Sequence, residues 1–162
     1  MYNTPITNPY FYYFNPSIPH QDLTFRTEQG KCQQVFTAIL SGIKGEASAI
    51  DFYTRLVPFA PNQKHKNDIL HALEDEKTHL KEFTQLYITL TGQQPMYQVE
   101  RKQFNSYKEG LQMAYEDELE AYEEYRNAFL LTQNLSVRDV FFRAFTDEIE
   151  HAMRFGFLLT GL

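Results

Sequence analysis

A chain of 162 residues with a single cysteine and a net charge of −6 is one domain's worth of sequence, and it excludes an internal disulfide or a four-cysteine metal centre within itself. Its Lys and Arg are scattered rather than striped, which argues against a nucleic-acid partner, and no apolar run approaches the roughly 20 residues of a membrane span. The seven Gly are few, and Pro is confined to residues 5–19 plus Pro58, Pro61 and Pro95, so long unbroken stretches favour an all-α fold.

Residues 1–30 read as a separate arm. Tyr10-Phe11-Tyr12-Tyr13-Phe14 lies among prolines with no helical period, and five adjacent aromatics are expected to dock on this subunit, a second copy or a partner. The start Met1-Tyr2-Asn3-Thr4-Pro5 has neither the basic residues nor the apolar core of a secretory signal, and with Cys32 alone a cytoplasmic setting is expected.

Four helices are expected in residues 31–162. The first runs from about Gln33 to Val57, with Ile39, Ile43, Ile50, Tyr53 and Val57 recurring at steps of three and four, and Pro58 stops it. The second runs from about Lys64 to Thr91, before Gly92 as its C-terminal cap, and carries Ile69, Ala72, Leu73, Leu80, Phe83, Tyr87 and Leu90. The third spans roughly Lys102 to Thr132. The fourth is expected to be capped by Ser136, with Asp139 three residues on, and to run nearly to the last residue. Short links pair the helices into two antiparallel hairpins. The ten-residue stretch from Gly92 to Arg101 reaches about 33 Å when extended, enough to cross the length of a bundle.

Each apolar stripe is interrupted by one Glu: Glu46, Glu76, Glu118 and Glu148. A carboxylate facing the core costs several kcal/mol unless positive charge meets it, and four of them, one per helix, need a shared explanation. The second and fourth helices add a His one turn after the Glu, giving Glu76-Lys77-Thr78-His79 and Glu148-Ile149-Glu150-His151, so that Glu and His project to one side. A lone pair of this kind is commonplace in a chain with 14 Glu. Two in register are not.

Shifting the first half by 72 residues lays Glu46 on Glu118, Glu76 on Glu148 and His79 on His151, and also matches Ala49 with Ala121, Tyr53 with Tyr125 and Asp75 with Asp147. The chain repeats one helical hairpin. Each Glu lies about 12 to 14 residues from its turn, so the four stand at one height when the hairpins pack. Four carboxylates balance two divalent cations, with one bridging Glu pair and one terminal Glu and His per ion. Carboxylate with imidazole suits iron or manganese, with zinc a competitor. Asp75 and Asp147 are placed to hold the distal His nitrogens, and Tyr53 and Tyr125 to reach the ligands from outside. His20, His65 and His71 have no such partners and are expected on the surface or in loops. Of the acidic run Glu116, Asp117, Glu118, Glu120, Glu123 and Glu124, only Glu118 falls on the stripe, so the rest should be solvated.

This pattern, Glu then ExxH then Glu then ExxH, resembles the ferritin-like superfamily, the rubrerythrin and bacterioferritin branch in particular, over about residues 33–160. Both motifs read Asp-Glu-x-x-His, similar to the bacterioferritin version. The resemblance implies a four-helix bundle of two hairpins joined by a long crossover. It also implies a di-iron centre on Glu46, Glu76, His79, Glu118, Glu148 and His151 that reacts with O2 or H2O2, as in a ferroxidase or peroxidase-like oxidoreductase. The single cysteine departs from rubrerythrin, whose rubredoxin domain feeds electrons, and rubrerythrin's additional third-helix Glu is missing, with Tyr115 and Ala121 one turn from Glu118. An external electron donor is therefore expected, and a homodimer, larger if the arm assembles it. Two alternatives stand: an iron-storage cage, and a structural protein, such as a spore-coat member of this superfamily, in which metal only stabilises the bundle.

Overall fold

The computed structural model describes residues 20–162, with side chains from residue 30 onward. The aromatic run at residues 10–14 and the side chain of His20 lie outside the described residues. Four helices follow: α1 (His20–Leu56), α2 (Gln63–Thr91), α3 (Tyr107–Leu131) and α4 (Leu135–Leu159), with a short 3-10 turn, Val57–Phe59, carrying Pro58. There is no strand among the described residues.

The helix ends show which local signals won. α1 begins at His20 rather than near Gln33, because nothing after Pro19 except Gly30 opposes a helix. α3 begins five residues later than the expected Lys102, at Tyr107. Ser106 caps it, its hydroxyl accepting from the Glu109 N–H at 3.1 Å, while Glu109 reaches back to the Asn105 N–H at 2.7 Å. α4 is capped by Asn134, which accepts from the Val137 N–H at 3.2 Å, and Ser136 sits inside the first turn instead. α2 starts at an Asn62 cap and ends on Gly92, whose φ of 69° is the left-handed conformation that glycine adopts without steric cost.

α1 and α2 pair antiparallel, as do α3 and α4. The segment between them runs lengthwise along α1. Glu100 meets Lys44 at 2.9 Å and Ser48 Oγ at 2.9 Å, the Lys102 carbonyl accepts from Arg55 at 2.9 Å, and Tyr107 reaches His65 near the far end. α3 therefore starts beside the α1–α2 turn and runs back parallel to α2. The core is split in two by this packing. Ile39, Ile43, Phe83, Phe141 and Ala128 fill one end, and Leu56, Ile69, Leu111, Phe155 and Leu158 fill the other. Each such large side chain contributes about 1.5–3 kcal/mol by leaving water. Between the two clusters lies a polar layer.

Gly110 lies where α3 approaches α1 closely. A β-carbon there would stand 2.7 Å from Leu56 Cδ1 and 3.1 Å from Phe104 Cγ. Gly110→Ala should therefore lose about 1–3 kcal/mol to overpacking, only partly offset by about 1 kcal/mol of helix propensity. Urea melts read the balance, and a stabilised variant would contradict this packing.

Candidate metal centre

The polar layer holds all six residues that interrupt or follow the stripes. Glu46, Glu76, His79, Glu118, Glu148 and His151 are each at most 3 % exposed. Their donor atoms form two overlapping sets, Glu46, Glu76, His79 and Glu148, and Glu76, Glu118, Glu148 and His151, within each of which all atoms lie within 4.8 Å of one another. Glu76 and Glu148 belong to both. Each imidazole turns Nδ1 inward: His79 Nδ1 is 3.1 Å from Glu76 and 3.4 Å from Glu148, and His151 Nδ1 is 3.2 Å from Glu76 and 3.3 Å from Glu148. Glu46 stands 3.9 Å from His79, and Glu118 stands 3.6 Å from His151. The arrangement is therefore two central carboxylates flanked on each side by one Glu and one His.

The surrounding contacts cross between hairpins. His79 Nε2 lies 3.1 Å from Asp147, and His151 Nε2 lies 3.1 Å from Asp75. Each Asp takes the outer N–H of the other hairpin's imidazole, which orients Nδ1 toward the centre. The Tyr53 hydroxyl donates to Glu118 at 2.5 Å and the Tyr125 hydroxyl donates to Glu46 at 2.6 Å, again across the pseudo-twofold. Burial and then the neighbouring carboxylate push both tyrosines well up, so they remain donors.

Electrostatics of the cluster by itself are frustrated. Burial, then the charges of Glu76 and Glu148, raise Glu46 and Glu118 well above the carboxylate range. Burial would raise Glu76 too, but hydrogen bonds from His151 and His79 outweigh it and hold Glu76 low. Burial disfavours charge on the imidazoles, yet bonds to Glu148 and Glu76 push His79 up to about 12, and those to Glu118, Glu148 and Glu76 raise His151 likewise. Even so, Glu76 Oε1 and Glu148 Oε1 are buried and accept no well-formed hydrogen bond, each facing only an imidazole Nδ1, of His151 at 3.2 Å and of His79 at 3.4 Å. A buried carboxylate oxygen without a well-formed hydrogen bond is costly, and two of them in one layer fit divalent cations bound there. The residues present fit a two-metal group.

Ligation requires the protons to leave. Both imidazoles are raised and must give up a proton on ligation, so filling the site should release about two protons per chain, more if the raised Glu46 and Glu118 also hold one, and affinity should rise with pH. Calorimetry in two buffers of different ionisation enthalpy counts them. Release of none would mean that the imidazoles are not ligands.

A cavity of about 370 Å³ between α1 and α3 opens onto the centre. Glu46, Glu118, Tyr53 and Tyr125 form its floor, Gly45, Ala49 and Ala121 keep its walls open, and Lys44, Glu100, Lys102 and Asp117 surround its mouth. The small residues Ala49 and Ala121, matched in the repeat, were the signal for this cleft. Two histidines sit elsewhere than the pattern suggested or in richer company. His65 is buried, not on the surface, because the crossover delivers the Tyr107 hydroxyl to within 2.8 Å of its Nδ1. His71 is exposed as expected. Of the acidic run, Glu118 alone is buried.

No family model matches the chain. The Bacillus subtilis protein YhjR, itself uncharacterised, is 36 % identical over 117 residues, which are 72 % of this chain and 81 % of YhjR. Among solved structures, a conserved hypothetical protein of Mycobacterium tuberculosis, rv2844, superposes with a TM-score of 0.72 at 15 % identity, over 82 % of this chain and 94 % of that one. A Bacillus anthracis structure described as ferritin-like, diiron-carboxylate proteins gives a TM-score of 0.68 at 21 % identity, over 80 % of this chain and 97 % of that one. No helix among the described residues is long and apolar enough to cross a membrane. The chain has the ferritin-like four-helix fold, with a buried Glu and His cluster suited to metal, and it belongs to the family of YhjR.

Proposed function

We propose that this protein holds two iron ions between its hairpins and reacts with O2 or H2O2 as a ferroxidase or peroxidase-like oxidoreductase. The observation that carries this reading is that Glu76 and Glu148 belong to both donor sets, each with a buried oxygen that accepts no well-formed hydrogen bond. The fold neighbour described as a diiron-carboxylate protein supports iron over manganese or zinc. Bound iron would supply the electrons that reduce the oxidant.

The chain's own groups do the rest. Glu76 and Glu148 would be shared by the two ions, with Glu46 and His79 holding one side and Glu118 and His151 the other. Asp75 and Asp147 keep the imidazoles oriented. Tyr53 and Tyr125 hold O–H protons against Glu118 and Glu46 at the floor of the cleft, where a small oxidant arrives. The apolar clusters above and below keep the layer dry apart from that cleft. With one cysteine in the chain, reducing equivalents come from another protein or a small molecule. The setting we propose is a cytoplasmic homodimer, and exposed Phe142, Met153 and Phe157 on α4 are suited to its contact.

Anaerobic Fe(II) titration of the metal-free protein, followed by a pulse of O2 or H2O2, tests the reading. Saturation at about two irons per chain, then a near-ultraviolet absorbance rise with consumption of the oxidant, is the expected result. A ferrous-loaded protein inert to both oxidants would sink the enzymatic reading and leave a structural metal. A cage of many subunits by light scattering would favour storage.

A further inference from the structure

His71 and Glu150 take no part in the buried layer, yet they stand directly outside it. His71 lies on α2 one turn before Asp75, and its Nε2 is 3.3 Å from Asp75 Oδ2 and 3.3 Å from Glu150 Oε2 on α4. Donor atoms of His71, Glu150 and His151 all fall within 4.8 Å of one another. The side chains of His71, Asp75 and Glu150 are 44 %, 33 % and 42 % exposed, so an ion could reach them from water. Nitrogen–oxygen separations of 3.3 Å match the edge of a tetrahedron with metal–ligand bonds of about 2.1 Å, which is about 3.4 Å. Glu150 is already fixed on its other oxygen by Arg154.

The repeat supplies an internal control. The residues equivalent to His71 and Glu150 in the other half are Arg143 and Thr78, which cannot hold a cation. Arg143 instead pairs with Glu82 at 2.9 Å, tying α4 to α2. An ion-pair clamp between these helices therefore needs no imidazole. One side of the bundle has nonetheless collected an imidazole and two carboxylates, the set that divalent transition ions prefer.

We propose that His71 and Glu150, with Asp75 beside His71, form a third, outer site for a divalent transition-metal ion on the α2–α4 face. It binds more weakly than the buried pair, because it has fewer protein ligands and is open to water. Asp75 also accepts from His151 Nε2 at 3.1 Å, so the outer ion lies one carboxylate away from the buried layer.

Anomalous diffraction from zinc-soaked crystals of the full chain, with equilibrium dialysis against zinc, tests the site. The expected result is a peak between His71 and Glu150 and a third bound zinc, both lost in His71→Ala and in Glu150→Gln while the buried peaks persist. No outer peak at saturating zinc, or a third zinc that survives both substitutions, would overturn the proposal. A stability loss without any change in zinc count would equally overturn it, in favour of a clamp. Failure of the buried centre would show separately, as an outer peak without inner ones.

Discussion

Glu76→Gln should abolish tight binding of both metal ions, whereas Glu46→Gln should remove one and leave the other. The difference follows from position. Glu76 lies between the two imidazoles, 3.1 Å from His79 and 3.2 Å from His151, and belongs to both donor sets. Glu46 approaches only His79. Loss of an outer partner costs a metal site about 10–100-fold in affinity, so loss of a shared ligand should cost each ion more than about 100-fold. Glu148→Gln should copy Glu76→Gln, and Glu118→Gln should copy Glu46→Gln, because the pseudo-twofold exchanges them. Elemental analysis after desalting gives the stoichiometry. Two tightly held ions in Glu76→Gln would show that Glu76 does not bridge.

Chelation should lower the melting temperature by about 10–20 °C. Each ion present at about 100 times its dissociation constant stabilises the fold by about 2.7 kcal/mol, so two contribute about 5 kcal/mol. For a domain of this size each kcal/mol moves the midpoint by about 2–4 °C. The loss should be larger than for an ordinary surface metal, because the six donors come from all four helices and chelation leaves Glu76 Oε1 and Glu148 Oε1 buried without a well-formed hydrogen bond. Calorimetric scans with and without chelator at one ionic strength make the comparison. A shift below about 2 °C would mean that the protonated imidazoles satisfy the layer without metal.

The convergence of six residues was legible because the signals were local and doubled: a Glu breaking each stripe, a His one turn on, and the 72-residue register. What stayed hidden depends on contacts between segments. Nothing in the spacing tells which Glu pair is central, since that is set by how the hairpins mesh. His65 looked like a surface residue because its partner, Tyr107, is 42 positions away at the end of the crossover. The starts of α3 and α4 were misplaced for the opposite reason. Asn134 and Ser136 are both good caps, and Asn134 takes the place by accepting from the Val137 N–H. At α3, the Ser106-x-x-Glu109 box outweighed an apolar period that continued upstream.

Each donor set takes three side chains from one hairpin and one from the other, so neither half can complete a site alone. An ancestral single hairpin would have held the same ions only as a homodimer, with every ligand supplied twice. Carrying both hairpins in one chain keeps the donors while releasing the outer faces from identity. In a homodimer any substitution strikes both sides at once; in the fused chain it strikes one. The two halves differ there: in the repeat His71 stands opposite Arg143, and Lys81 and Gln85 opposite Met153 and Phe157. A symmetrical interior has been kept under a surface whose two sides are now free to specialise.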